Sequence, residues 1–149
     1  MIPKTKLIDI TVKRTIPASA DKVFDVWMDP KNPGGPWFGS ETLIVAPAPP
    51  AVGSLFYFTV LWKGRTWAHF GRFVEIQRPG KVEYTWMSEG TKGVESTVSV
   101  TFEGRGNETE VTLRHLHIPD DELGRQTEWG WAHILGSVAE ALAKKSASA

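Results

Sequence analysis

Six strand-like segments follow one another in the middle of this sequence, and short turns join the last five of them. The turns are rich in glycine, which favours reversals of the chain, and they are too short to contain a crossover helix. Consecutive strands must therefore be antiparallel neighbours in a meander, which is the strongest constraint on the fold. The six segments comprise residues 42–45, 55–62, 67–76, 82–86, 94–102 and 109–117.

Two further elements flank the meander. In residues 7–16, apolar Ile8, Ile10 and Val12 alternate with polar residues, which is the period of a half-buried strand. After the meander, the acidic residues 120–122 open a helix that runs to about residue 144. This helix would be about 35 Å long, enough to cross the sheet as a second layer. Its apolar face comprises Trp131, Ile134, Leu135, Val138 and Leu142.

A shorter helix is predicted after the first strand. Ser19 is a suitable N-cap, and Val23, Phe24 and Trp27 then recur at helical spacing. The predicted architecture is α+β: a curved antiparallel sheet of about seven strands around a long C-terminal helix, with two short helices after the first strand.

Composition narrows the function without defining it. The chain has 149 residues, which suits a single domain spanning residues 1–149, with residues 145–149 as a flexible tail. It has 17 basic and 17 acidic residues and no cysteine. We therefore expect no nucleic-acid partner, and neither disulfides nor thiol chemistry. No apolar stretch is long enough to span a membrane, so we expect a cytoplasmic protein, either a monomer or a homodimer, with no cofactor.

Several motifs resemble a known family when they are taken together. They are residues 16–27 (IPASADKVFDVW), Asp29-Pro30, Trp37-Phe38, residues 71–76 (GRFVEI), residues 82–86 (VEYTW), residues 109–113 (TEVTL) ahead of His115, and Gly130-Trp131. In this order they resemble the START-like or SRPBCC superfamily with its helix-grip fold, also called Bet v-like. The branch is similar to the activator of heat-shock protein ATPase homologue. The resemblance implies one of three roles: a carrier of lipids or small molecules, a polyketide cyclase-like enzyme, or a co-chaperone.

The predicted site is a cavity between the sheet and the long helix, which binds a small hydrophobic or aromatic ligand. Strand alternation points many rings toward the helix, where they either line a cavity or fill the core. Trp129 and His133 lie one helical turn apart beside Gly130, which favours a cavity wall or a close helix–sheet contact. The predicted ligand-binding residues are Trp37, Phe38, Phe56, Phe58, Trp67, His69, Phe73, Tyr84, Trp86, His115, Trp129 and His133.

The loops beside these rings suggest how the cavity opens. Residues 32–36 contain two prolines and two glycines directly before Trp37 and Phe38. We expect this segment to be a hinge that lets the two rings gate the cavity.

Three alternatives accompany the binding hypothesis. His69, His115 and His117 are candidates for a zinc site on one sheet face, but no carboxylate ligand is evident nearby, so no metal site is predicted. No nucleophile elbow, phosphate loop or metalloprotease motif is present, so no catalytic residue is predicted. A cyclase- or hydrolase-like enzyme would use His69, His115 and Tyr84 in the same cavity. A co-chaperone-like module would instead need an exposed patch for a chaperone partner.

Overall fold

The computed structural model describes residues 6–29, 36–37, 40, 42–47 and 49–148, with side chains as far as residue 144. A short 3₁₀ turn at Glu89–Thr91 follows the fifth strand. The elements are β1 Leu7–Ile16, α1 Ala20–Met28, β2 Thr42–Ala46, β3 Leu55–Trp62, β4 Arg65–Gln77, β5 Lys81–Ser88, β6 Ser96–Arg105, β7 Glu108–Pro119 and α2 Glu122–Ser148.

All seven strands form one curved antiparallel sheet in the order β1-β7-β6-β5-β4-β3-β2. Strands β2 to β7 are neighbours in sequence order, and β1 pairs with β7 at the far edge. The predicted meander and the α+β fold class are therefore confirmed. Helix α1 is the first predicted short helix, and residues 30–35, 38 and 39, where a second would fall, lie outside the described residues.

Helix α2 lies across the sheet and contacts β1, β7, α1 and the 3₁₀ turn. Its 27 residues give a length of about 40 Å at 1.5 Å per residue. The predicted apolar face is the one that packs inward, because Trp131, Leu135 and Val138 are buried. No helix among the described residues is long and apolar enough to cross a membrane.

Strand alternation fails at the end of β7. A register shift between β1 and β7 pairs Ile10 with His115 but Ile8 with Ile118, which leaves an extra residue on β7. His117 occupies this bulge with a φ of +66°, and its backbone N–H donates to Asp9 Oδ1 at 3.2 Å. A bulge shifts the inward parity by one residue, so His117 is exposed and Ile118 is buried in its place. The expectation that His115 and His117 share a face is therefore wrong.

Gly71 on β4 lies at a close approach between a neighbouring strand and a buried ring. A Cβ atom at this position would collide with the Thr85 carbonyl oxygen and lie 2.7 Å from Phe56 Cζ. Neither atom can move freely, since one is backbone and the other belongs to a buried ring.

We expect Gly71→Ala to lower the free energy of unfolding by about 2 kcal/mol, because overpacking of a dense core is unfavourable. Chemical denaturation measures this. Gly80→Ala is the matched control, since its Cβ would meet only the Gln77 carbonyl oxygen at 3.8 Å. Equal stability of the two variants would mean that the β4–β5 contact at Gly71 has room for a methyl group.

Candidate functional site

A cavity of about 390 Å³ lies between the first half of α2 and the end of the sheet formed by β3, β4 and β5. Its volume falls at the small end of the roughly 300–1,000 Å³ found for ligand sites. The lining is mostly apolar and aromatic. It comprises Val60, Trp62, Lys63, Trp67, His69, Trp86, Ser88, Gly90, Thr91, Leu123, Gln126, Thr127, Trp129, Gly130, Trp131 and Ile134.

Tryptophan dominates the cavity walls. Five of the seven tryptophans in the chain line the cavity. The Trp86 and Trp131 rings lie 5.2 Å apart at the inner end, where the sheet meets α2. The Trp62 and Trp67 rings, 6.0 Å apart, form the wall at the β3–β4 hairpin. Trp129 exposes 66% of its surface, so the cavity is open to solvent beside α2.

His69 is the polar group in this aromatic wall. Its ring stacks on Phe58 at 4.6 Å between centroids and lies 5.1 Å from the Trp86 ring. Its Nδ1 atom is buried and has no hydrogen-bond partner among the described residues. Burial lowers the pKa of His69 from 6.5 to about 4, so the imidazole is neutral at neutral pH. A neutral imidazole can donate one hydrogen bond and accept another from a ligand.

His115 behaves differently, because all of its hydrogen bonds are made inside the protein. Trp131 Nε1–H donates to His115 Nδ1 at 3.0 Å, and His115 Nε2 lies 2.7 Å from Ser96 Oγ. An indole nitrogen can only donate, so His115 Nδ1 must accept and the ring proton is on Nε2. Ser96 Oγ then accepts from His115 and donates to the Trp86 carbonyl oxygen at 2.6 Å. This hydrogen-bond chain joins α2 to β5, β6 and β7.

The remaining polar lining residues are uncharged except for Lys63. Thr91 Oγ1 accepts a hydrogen bond from the Ser88 backbone N–H at 3.0 Å and donates one to the Ser88 carbonyl oxygen at 2.9 Å. These bonds fix the 3₁₀ turn against the end of β5. Thr127 Oγ1 donates to the Leu123 carbonyl oxygen at 3.2 Å within α2. These hydroxyl groups therefore hold the cavity wall in shape.

The twelve predicted ligand-binding residues separate into groups. Trp67, His69, Trp86 and Trp129 line the cavity. His133 stacks on Trp129 at 5.4 Å but is exposed and outside the lining. Phe38 lies outside the described residues. Six residues are buried in the interior and do not line the cavity: Trp37, Phe56, Phe58, Phe73, Tyr84 and His115.

Trp37 explains why the interior is full beside α1. Its ring lies 5.1 Å from Phe56 and 5.8 Å from Tyr84, and its Nε1–H donates to the Trp27 carbonyl oxygen at 2.9 Å. Trp37 exposes only 3% of its surface and is outside the cavity lining, so it is part of the core. Most of the predicted hinge, residues 32–35, and Phe38 lie outside the described residues. Burial raises the pKa of the Tyr84 hydroxyl well above its ordinary value, and contact with Trp27 lowers it in part.

Sequence reasoning overlooked much of the cavity wall. Trp62 has the same strand parity as Phe56 and Phe58, a signal that could have placed it on the inner face. The helical positions Leu123 and Thr127 continue the apolar face of α2 toward its N-terminus at the same spacing. Lys63 carries no such signal, because it lies in the turn between β3 and β4.

The zinc hypothesis is not supported by this geometry. The bulge places His117 on the opposite face from His115, and the nitrogens of His115 are both engaged in hydrogen bonds. Within the described residues, no group of three His, Asp or Glu side chains has the geometry to hold a metal ion.

A curved antiparallel sheet wrapped around one long C-terminal helix defines the helix-grip fold of START-like, or SRPBCC, proteins. Within that class, the sequence model of one family matches residues 17–143. The chain belongs to the family described as activator of Hsp90 ATPase homolog 1-like protein. No curated protein matches the chain in a sequence comparison.

Solved structures agree on the fold at low sequence identity. Ara h 8.0201 superposes with a TM-score of 0.72 and 11% identity, covering 93% of this chain and 99% of that one. An HSP90 activator from Plasmodium falciparum superposes with a TM-score of 0.68 and 19% identity, covering 91% of this chain and 96% of that one. CalU16 from Micromonospora echinospora superposes with a TM-score of 0.69 and 17% identity, covering 94% of this chain and 79% of that one. At these identities the likeness establishes the fold alone.

The buried imidazole of His115 makes stability depend on pH. Burial lowers its pKa from 6.5 to about 3, so between these values the unfolded chain binds a proton that the folded chain does not. Stability therefore falls as pH decreases, and we expect a loss of about 2 kcal/mol from His115 between about pH 7 and pH 5. Denaturation at a series of pH values measures it. His115→Gln should show a shallower dependence in this window; equal slopes would contradict the assignment.

Proposed function

We propose that this protein binds a small, predominantly aromatic molecule in the cavity between α2 and the sheet. The observation that carries the proposal is an aromatic-walled cavity of about 390 Å³, open to solvent beside α2, whose lining includes the neutral imidazole of His69. Ligand sites of this kind combine an apolar wall with a few polar groups that orient the ligand, and His69 is such a group here.

The walls favour flat ligands over flexible chains. Tryptophan faces and edges offer stacked and edge-to-face contacts to an aromatic ring, each worth about 0.5–1.5 kcal/mol beyond simple burial. Trp86 and Trp131, 59° apart, present two differently oriented faces at the inner end. Because the rims are open and the volume is modest, we expect affinities near the micromolar range for a molecule with two or three rings.

Gly130 supports this function because its position in α2 is otherwise unfavourable. Glycine in a helix interior costs about 1 kcal/mol relative to alanine. A Cβ atom here would meet nothing within 4 Å, so tight packing does not explain the residue. Gly130 lines the cavity, and a larger side chain would project into the space that the ligand needs.

We expect Gly130→Leu to weaken binding of a neutral fluorescent probe, phenylnaphthylamine, at least about tenfold by filling the cavity. The same change should leave the protein as stable as the wild type or more stable, since leucine favours helix over glycine. Fluorescence titration and chemical denaturation measure the two effects.

Gly136→Ala provides the matched control. This glycine lies in the same helix, and a Cβ atom there would meet only Arg14 Nη1 at 3.9 Å. The control should gain similar helix stability and bind the probe normally. Unchanged probe affinity in Gly130→Leu would contradict binding in this cavity.

An enzymatic role in the same cavity has weaker support. Proton transfer chemistry commonly uses two polar groups whose environments separate their pKa values. His69 is the only ionisable group besides Lys63 among the described residues that line the cavity, and no carboxylate accompanies it there. Tyr84 and His115, the other candidates for catalysis, are buried outside the lining.

A second candidate function is a co-chaperone-like interaction, which the family description and one row of exposed side chains favour. Ile44, Tyr57 and Phe70 are adjacent in register on β2, β3 and β4 and expose 54%, 39% and 44% of their surfaces. Such contiguous apolar surface is typical of protein interaction sites.

This candidate predicts that Tyr57→Ser combined with Phe70→Ser abolishes stimulation of an Hsp90-type ATPase by this protein. The double variant should keep normal affinity for phenylnaphthylamine, because both residues face away from the cavity. Steady-state ATPase assays test it, with Gly130→Leu as the control that should stimulate normally. Absence of stimulation by the wild type would exclude the co-chaperone role.

A further inference from the structure

Lys63 is the one charged residue among the described residues that line the cavity. It occupies the turn between β3 and β4 with a left-handed φ of +53°. Its Nζ atom lies 4.5 Å from the centre of the Trp62 ring, which also lines the cavity. The ammonium group is therefore placed on the aromatic rim.

The other cations near the opening are already neutralised by acidic partners. Arg65 forms an ion pair with Glu89. On the side of α2, Lys92 Nζ lies 3.0 Å from Asp121 Oδ2, and Arg125 Nη1 lies 2.9 Å from Asp120 Oδ1. Lys63 has no ion-pair partner within the described part of the chain, although its ring contact with Trp62 holds it in place.

Lys63 determines which ligand charge the lining favours, because the other polar groups of the lining are neutral. These neutral groups are His69, Ser88, Thr91, Gln126 and Thr127, and no carboxylate lies among them. A cationic ligand would meet Lys63 with no compensating anion, and like charges repel more strongly beside low-dielectric walls. An anionic group would instead find a cation at the rim while its rings contact the tryptophans.

We propose that the cavity selects an aromatic monoanion, such as an aryl carboxylate or aryl sulfonate, with its charged group at Lys63 and its rings inside. This inference rests on the proposed binding function and specifies the chemical class of the ligand. The anionic group stays at the solvent-facing rim, so it retains part of its hydration and avoids the cost of full burial.

Two probes with the same ring system test the charge preference. Anilinonaphthalene sulfonate is an aromatic monoanion, and phenylnaphthylamine is its uncharged parent. We expect Lys63→Gln to weaken the sulfonate about three- to fivefold, the effect of one exposed charge pair. Lys63→Glu should weaken it about tenfold because the charge is reversed. Neither substitution should change the affinity of the neutral probe more than about twofold.

Lys13→Gln is the matched control, because Lys13 is an exposed lysine on β1 outside the cavity lining. It should leave both affinities unchanged. Added salt should weaken sulfonate binding to the wild type and have little effect on Lys63→Gln, since screening acts on the rim charge.

The outcomes separate this inference from the binding function on which it rests. The anion preference is wrong if Lys63→Gln and Lys13→Gln weaken sulfonate binding equally, or if neither weakens it. If Gly130→Leu still weakens phenylnaphthylamine binding in that case, the cavity remains a binding site. If neither probe responds to Gly130→Leu, the binding function itself fails.

Discussion

The hydrogen-bond chain through His115 is the interaction on which the site depends. It starts at the Trp131 indole on α2, passes through His115 on β7 and Ser96 on β6, and ends at the Trp86 carbonyl oxygen on β5. Each polar atom along it has the partner that its chemistry requires, so a neutral imidazole is stable in a fully buried position. Trp131 and Trp86 also form the inner wall of the cavity. This hydrogen-bond chain therefore fixes the distance between α2 and the sheet at the inner end of the cavity.

The interior beyond this wall is divided into a filled part and an open part. Beside α1, Trp37 packs with the Phe and Tyr rings of β3, β4 and β5, and Trp27 packs on Phe102 of β6, so side chains fill this end of the concave face. Beside the β3–β4 hairpin, no comparable helix among the described residues covers the sheet, and the first half of α2 forms the second wall of the cavity. One set of aromatic residues thus fills the core, and another set lines the cavity. This division explains how the fold can be stable while it keeps an opening.

Sequence patterns predicted the fold well because they report local geometry. Alternation along the strands, the short turns and the helical spacing from Trp131 onward fixed the meander and the inward face of α2. Alternation gives the face of a residue but not its position along that face, so Phe58 in the core and Trp67 in the cavity wall had the same signature. The bulge at His117 depends on pairing with a strand about a hundred residues away, which no local pattern reports.

The sequence did not indicate a role for Lys63 for a similar reason. A lysine in a turn is common, and only the tertiary structure shows that Lys63 lies over the Trp62 ring while the neighbouring cations are paired with carboxylates. Gly130 shows the converse case: the sequence marked it as unusual in a helix, and the structure decides between the two explanations by showing open space beside it.

Ligands should enter the tryptophan-walled cavity and not the filled part of the core. The seven indole N–H groups of the chain are natural reporters, and their NMR signals can be followed during titration with phenylnaphthylamine. We expect the signals of Trp27 and Trp37 to stay in place while those of the cavity wall move. The signals expected to move are those of Trp62, Trp67, Trp86, Trp129 and Trp131. Shifts of equal size at Trp27 and Trp37, or no shifts at the wall, would contradict the claim.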